Sequence, residues 1–271
     1  MSQKKNMEMI KCGVCNRQFK AITNTHVKIH GLSLKEYISK YGNIFSKKQI
    51  EYLKNKPAYN KGSCLVNHSF FKTISADMYY ILGLWYADGC VCRNRNSKVA
   101  LLSFNIRDEE LIKQVAKTID YNKKLYYYKD KRFGSVMVKI DIFSEEIFDD
   151  LVKLGCMERK SLIIEFPMIP KVFDRDFIRG YMDGDGSIFV NDRNKLEVTF
   201  TSGSKKFLDK LRIVVYNNID LLGSVVYKNR KNCYFIRYAY KNRAEQLLYW
   251  LYENASLFSN RKYNIYKKFI L

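Results

Sequence analysis

Two stretches of this chain run to the same ending. Phe177-Ile178-Arg179-Gly180-Tyr181-Met182-Asp183-Gly184-Asp185-Gly186-Ser187-Ile188 and Ile81-Leu82-Gly83-Leu84-Trp85-Tyr86-Ala87-Asp88-Gly89 both lead through a small residue into Asp-Gly. Asp88 and Asp185 stand 97 positions apart, an interval that fits a repeated unit of substantial size. Gly83 and Ala87 are four apart, as are Gly180 and Gly184, so each pair shares one helix face. Small residues on that face let two helix backbones approach closely. Gly89 and Gly186 are expected in the left-handed position just past a helix end. Each Asp then falls at a helix C-terminus, where the dipole is already negative. Two such helices side by side bring two carboxylates together, and a divalent cation is the natural offset to their repulsion.

Composition points the same way. Lys and Arg number 48 against 27 Asp and Glu, a net charge of +21. Such a surface favours a polyanion, above all nucleic acid. No run of about 18 apolar residues exists, so no membrane span is expected. The N-terminal Met1-Ser2-Gln3-Lys4-Lys5 lacks an apolar signal core. Seven Cys is an odd number for a disulfide framework, and closely spaced Cys in a reducing compartment bind metal instead. The expectation is a cytoplasmic, nucleoid-associated protein, encoded by a phage or mobile element.

The paired stretches resemble the motif of single-chain LAGLIDADG homing endonucleases. The second copy carries Gly180, Asp183, Gly184, Asp185 and Gly186; in the first, Tyr86 replaces the motif's first acid. The resemblance implies that Asp88 and Asp185 hold Mg²⁺ together with the backbone carbonyls of Ala87 and Gly184. It also implies active-site lysines, matched by Lys160 in Glu158-Arg159-Lys160-Ser161-Leu162 and by Lys262 in Arg261-Lys262-Tyr263.

Ahead of the repeats, Cys12-Gly13-Val14-Cys15 is followed by His26 and His30, the pattern C-x2-C-x10-H-x3-H. Four ligands of these types at this spacing fit a tetrahedral structural zinc site. The ten-residue loop is shorter than the usual finger spacing of about twelve. The segment resembles short zinc-finger-like modules of phage and bacterial DNA-binding proteins. Ser33 is expected to cap a helix Leu34–Tyr41 that Gly42 stops, and Ser46 to cap another to Asn55. Lys54-Asn55-Lys56-Pro57-Ala58-Tyr59-Asn60-Lys61-Gly62 resembles a nuclease-associated modular DNA-binding motif, and equally reads as a solvated basic linker.

From residue 74 the periodicity alternates between helix and strand in the order αββαββα, and from residue 166 the order repeats. The expected fold is therefore α+β: two pseudo-symmetric αββαββα repeats forming a DNA-binding saddle of antiparallel sheets, with a small N-terminal zinc module. The expected divisions are 1–45 (zinc module), 46–73 (basic linker), 74–165 (first repeat) and 166–271 (second repeat). Helices on one face of each four-stranded sheet leave the other open. Basic residues gather in the hairpins: Arg93, Arg95, Lys98, Lys129, Lys131, Arg132 and Lys139 in the first repeat, and Arg193, Lys195, Lys228, Arg230, Lys231 and Arg237 in the second. A curved ribbon carrying such residues can enter the major groove. The function that the LAGLIDADG resemblance implies is monomeric, site-specific cleavage of double-stranded DNA. A DNA-binding regulator or an intron-splicing maturase on the same fold is the alternative.

Overall fold

The computed structural model describes residues 9–19, 21–42, 44, 46, 66–94, 97–158, 162–192, 194–229, 233–239 and 242–270. The chain divides into two compact units, Met1–Ser63 and Cys64–Leu271.

In the first unit, β1 (Ile10–Lys11) pairs antiparallel with β2 (Gln18–Phe19), and α1 (Asn24–Ile29) and α2 (Leu34–Tyr41) follow. The Ser33 hydroxyl accepts from the Glu36 N–H while the Glu36 carboxylate accepts from the Ser33 N–H, a capping box that fixes the start of α2. Gly42, at φ 82°, ends it as expected. A small core of Cys12, Ile22, Val27 and Tyr37 closes the unit. The helix expected after Ser46 and the basic stretch around Lys61 lie outside the described residues.

The second unit repeats one order twice. The first pass is α3 (Ala76–Asp88), β3 (Gly89–Asn94), β4 (Ser97–Asn105), α4 (Glu109–Thr118), β5 (Tyr126–Lys129), β6 (Val136–Ile142) and α5 (Glu145–Lys153). The second is α6 (Asp174–Asp185), β7 (Gly186–Val190), β8 (Leu196–Ser202), α7 (Lys205–Ile219), β9 (Tyr227–Asn229), β10 (Cys233–Tyr238) and α8 (Arg243–Tyr252), with α9 (Asn260–Ile270) appended. The sheets have matching strand orders, β3-β4-β6-β5 and β7-β8-β10-β9, with every pairing antiparallel. Alternation along β6 buries Val138, Ile140 and Ile142 against the helices and turns Met137, Lys139 and Asp141 the other way. One core runs through both repeats, with Trp85, Tyr80, Phe177 and Tyr181 fully buried around α3 and α6.

The two motif helices touch backbone to backbone. A Cβ built on Gly83 would lie 2.1 Å from the Phe177 carbonyl oxygen, and one on Gly180 would lie 1.9 Å from that of Tyr80. Neither helix can move aside without unpacking its own repeat. Gly89 and Gly186 differ from expectation: both are extended, at φ −81° and −88°, and open β3 and β7 directly. Their need for glycine is steric, since a Cβ there would meet the backbone of Trp85 or Met182 within 2.6 Å. Asp174 is the first helical residue of α6, after Phe173 at the N-cap position.

Gly83→Ala and Gly180→Ala should each destabilise the chain by about 3 kcal/mol, the upper end of ordinary overpacking, because the obstructing atoms are backbone. Urea unfolding checks this; a loss within about 0.5 kcal/mol, the range of neutral surface changes, would mean the helices do not approach this closely.

Candidate functional site

Side-by-side packing brings the last turns of α3 and α6 to one seam. A Cβ on Gly184 would stand 2.3 Å from the Ala87 Cβ and 2.9 Å from Asp88 Oδ2. The Asp88 carboxylate therefore reaches across to the residue preceding Asp185. Both acids are exposed, although the helices that carry them are buried for most of their length. Beneath them the Tyr181 hydroxyl donates to the Thr201 carbonyl at 2.6 Å. Burial pushes this phenol well above its ordinary range, and the charges of Asp185 and Asp88 both add to the shift. A cavity of about 50 Å³ lies beside Asp185, lined by Tyr86, Ala87, Tyr181 and Ser202.

Lys262 holds this seam from below. It is 2% exposed. Its Nζ donates to the carbonyls of Met182 at 2.5 Å, Asp183 at 2.8 Å and Gly186 at 2.7 Å, with that of Gly184 at 3.4 Å. An ammonium has three donors, and the three short bonds use them. A cation at the C-terminus of α6 also meets the negative end of the helix dipole. Burial pushes the ammonium's pKa down, against the raising influence of Asp183.

Asp183 is buried at the centre of this arrangement. Its carboxylate accepts from Tyr80 Oη at 2.7 Å, Tyr252 Oη at 2.6 Å and the Ser259 N–H at 2.8 Å. Leaving such a group without partners would cost a few kcal/mol, so the network ties α3, α6 and the segment before α9 into one body. Arg179, 1% exposed, adds bonds to the Leu251 and Leu257 carbonyls and an ion pair with Asp176 at 2.9 Å. In the first motif Tyr86 occupies the place of Asp183 and donates to the Leu154 carbonyl at 2.7 Å. Sequence reasoning did not find the roles of Asp183, Arg179, Tyr80 or Tyr252. Asp183 was visible as the motif's first acid, but no local signal points to its tyrosine partners.

In the first unit, Cys12, Cys15, His26 and His30 converge, with their ligand atoms all within 4.8 Å of one another. The edges are 3.8 Å from Cys12 Sγ to His30 Nε2, 3.5 Å from Cys15 Sγ to His26 Nε2, and 3.2 Å between the two Nε2 atoms. Tetrahedral zinc, with Zn–S about 2.3 Å and Zn–N about 2.0–2.1 Å, requires edges of about 3.6 Å for S···N and about 3.3 Å for N···N. The donor set and its spacing fit that ion. Burial raises the Cys12 thiol, but the backbone N–H groups of Cys15 and Val14, with Tyr37 and His26, outweigh it and bring the pKa down to about 6.

The sheet residues divide by face. Arg93 and Lys98 pair across β3 and β4 on the helical side: Lys98 Nζ bonds Asp149 at 2.8 Å, and both cations sit over the Phe148 ring. Lys228, opposite Tyr234, has the same parity as the helix-facing residues of its sheet. These three stand on the helix-facing side of their sheets, because a period of two sends alternate residues to opposite sides. Lys139 does face away from the helices, paired with Asp141 at 2.7 Å and over the Tyr126 ring. Arg237 does the same in the second sheet, 3.5 Å from Glu197. Lys195 is exposed in the turn before β8. Lys61, Arg95, Lys160, Arg193, Arg230 and Lys231 lie outside the described residues.

Twin αββαββα repeats thus meet through small residues on their first helices, each of which ends in an exposed Asp. Residues 173–248, most of the second repeat, match the model of the LAGLIDADG-like domain. Two curated proteins of Methanocaldococcus jannaschii are similar. A probable translation initiation factor IF-2 is 30% identical over 146 residues, 51% of this chain and 11% of that protein. The DNA-directed RNA polymerase subunit Rpo1C is 29% identical over 141 residues, 51% of this chain and 15% of that protein. The chain thus spans only about a tenth to a seventh of the length of the curated relatives it matches.

Among solved structures, the homing endonuclease I-WcaI bound to its DNA recognition sequence is similar at TM-score 0.48 and 15% identity, over 68% of this chain and 84% of that one. I-DmoI in complex with DNA and Ca is similar at 0.49 and 11%, over 74% and 99%. Full-length DUF199/WhiA from Thermatoga maritima is similar at 0.48 and 13%, over 74% and 63%. Likeness at this level says nothing of this chain's activity. No helix among the described residues is long and apolar enough to cross a membrane.

A depressed thiol contributes stability that is full above its unfolded pKa and lost as pH falls through the folded one. For Cys12 that window runs down from 9.0 to about 6. Bound metal deepens the depression, since the ligand must be a thiolate. Zinc-loaded protein should therefore hold its ion at pH 7 and release it with a midpoint at or below about pH 6, followed with a colorimetric zinc chelator. A midpoint near pH 8 would mean Cys12 is not a ligand.

Proposed function

We propose that the chain is a metal-dependent, site-specific endonuclease of the homing type that cuts double-stranded DNA. One observation carries this most directly: the Asp88 carboxylate reaches Gly184, so two exposed acids from twin halves share one seam. DNA strands are related by a twofold axis, as are the halves of such a molecule, so each Asp addresses one strand. Asp88 and Asp185, with the carbonyls of Ala87 and Gly184, offer hard oxygen donors suited to Mg²⁺. That ion, when bound, supplies an activated water and neutralises charge on the phosphate and leaving oxygen. Tyr181 closes the floor of the seam, and Asp183 with Tyr80 and Tyr252 keeps the helices from separating. Lys262 acts as a positioning residue, because its donors are spent on the end of α6. Lys160 remains the candidate for a lysine beside the phosphate. The four-ligand Cys/His cluster holds structural Zn²⁺ in the N-terminal unit.

DNA flanking the chain's own gene, incubated with the protein and Mg²⁺, gives the test. Asp88→Asn and Asp185→Asn should each lower cutting by more than the about 10–100-fold that outer-shell partners cost, with DNA affinity within a few-fold of the parent. Near-parent cutting by either variant would remove that residue from the site. Intact binding with no cutting by the parent under any divalent ion would favour a regulator or maturase on this fold.

A net charge of +21 also sets the binding thermodynamics. Neutralising several phosphates releases counterions, so affinity should fall by about a thousandfold or more between 50 and 200 mM salt, measured by fluorescence anisotropy. A salt-insensitive affinity would remove nucleic acid as the partner.

A further inference from the structure

A cavity of about 310 Å³ opens at the outer margin of the second sheet, lined by Ser224, Tyr227, Phe235, Arg237, Ala239 and Arg243. This is at the small end of the about 300–1,000 Å³ that ligand sites occupy. Tyr227 and Phe235 are paired across β9 and β10, with ring centroids 5.4 Å apart. Both share the parity of Arg237, so the rings turn to the face away from the helices. Tyr227 is 47% exposed. The Ser224 hydroxyl accepts from the Arg237 N–H at 2.9 Å and donates to the Val225 carbonyl, which fixes that wall. Two arginines, Arg237 and Arg243, line the same cavity. Arg237 is partly offset by Glu197 at 3.5 Å, while Arg243 makes no ion pair among the described residues.

An exposed ring backed by a second, half-buried one, in a cavity that arginines also line, is a combination that holds a single nucleotide: the base stacks on the ring and the phosphate meets the cation. Bases inside a duplex present only their edges, so a pocket of this kind serves a nucleotide outside the stack. We propose that this pocket binds one unpaired nucleotide of the DNA, at a distance from the Asp88–Asp185 seam. The site rests on the DNA-binding function proposed above and adds a second mode of contact to it. The unpaired nucleotide can be extruded from the duplex or belong to a single-stranded end.

Three probes separate these sources: a blunt duplex, the same duplex with a short oligodeoxythymidylate overhang, and the same duplex with one bulged thymidine. The full chain should bind the overhang or the bulge more tightly than the blunt duplex, and whichever probe gains identifies the source. Tyr227→Ala and Arg243→Ala should each remove about ten- to a hundredfold of that gain, the range for loss of one base–aromatic stack, while blunt-duplex affinity stays within about twofold. Both side chains are exposed, and a thermal melt of each variant verifies the fold. Equal affinity for all three probes, or variants that weaken blunt-duplex binding as much as the others, would overturn the pocket. Failure of the parent to bind the blunt duplex at all would instead overturn the DNA-binding function itself.

Discussion

Two helix backbones meet with nothing between them, and the remainder of the second unit is built outward from that contact. Gly83 faces the Phe177 carbonyl and Gly180 that of Tyr80, so side chains cannot adjust the spacing. The approach is fixed by backbone volume alone. Each acid is then the last residue of its helix, and each sheet begins at the next residue, Gly89 or Gly186. A single peptide separates each acid from the first strand of the sheet beside it. Rigid coupling of that kind keeps supporting geometry within the tolerance a reaction needs.

Such a meeting concentrates negative charge, because two helix C-termini and two carboxylates share one place. The chain offsets part of it internally. Lys262 supplies three short bonds to the end of α6, and Arg179 ties the same helix to the Leu251 and Leu257 carbonyls. Asp108 holds Arg261 at 2.9 Å, which anchors the start of α9 to the first repeat. In both repeats the support comes from the segment after the third helix. After α5 it is the Leu154 carbonyl that receives Tyr86; after α8 it is Ser259 that donates to Asp183. Tyr86 spans the distance with a long side chain and one bond. Its hydroxyl sits against Gly155, whose φ of +93° and missing Cβ make the room. Asp183 spans it with a short side chain and three bonds. The two solutions keep one architecture while the sequences of the repeats diverge.

Much of this could be read before any coordinates. The spacing of Gly83, Ala87, Gly180 and Gly184 gave the packed seam, because small-residue periodicity on a helix has few other uses. The element order came from changes in hydrophobic period, and the Cys/His convergence from ligand spacing. What escaped reading was set by partners distant in sequence. Tyr252 lies 69 residues from Asp183 and Tyr80 lies 103, so no window contains the hub. Lys262 was recognisable as a lysine near the site, but its burial against carbonyls depends on how α9 docks. The left-handed glycine expected at Gly89 failed for a different reason. Asp-Gly at a helix end fits a cap, and it equally fits an immediate turn into a strand where Trp85 leaves no space for a side chain.

The distribution of charge separates two tasks that composition alone merges. On the faces turned from the helices, Lys139 is matched by Asp141 and Arg237 by Glu197. Ser103, Thr199 and Thr201 stand among them by register. Donors and acceptors interleaved at strand spacing are what base edges in a major groove present in return. A phosphate backbone, by contrast, rewards cations that no acid has neutralised. By sequence, Arg95, Lys131, Arg193, Arg230 and Lys231 all fall between the residues of paired strands. A molecule so divided would take its affinity from the hairpin turns and its selectivity from the sheet faces. The two could then change independently, since a substitution in a turn leaves the strand register, and with it the spacing of acids and sheets, untouched.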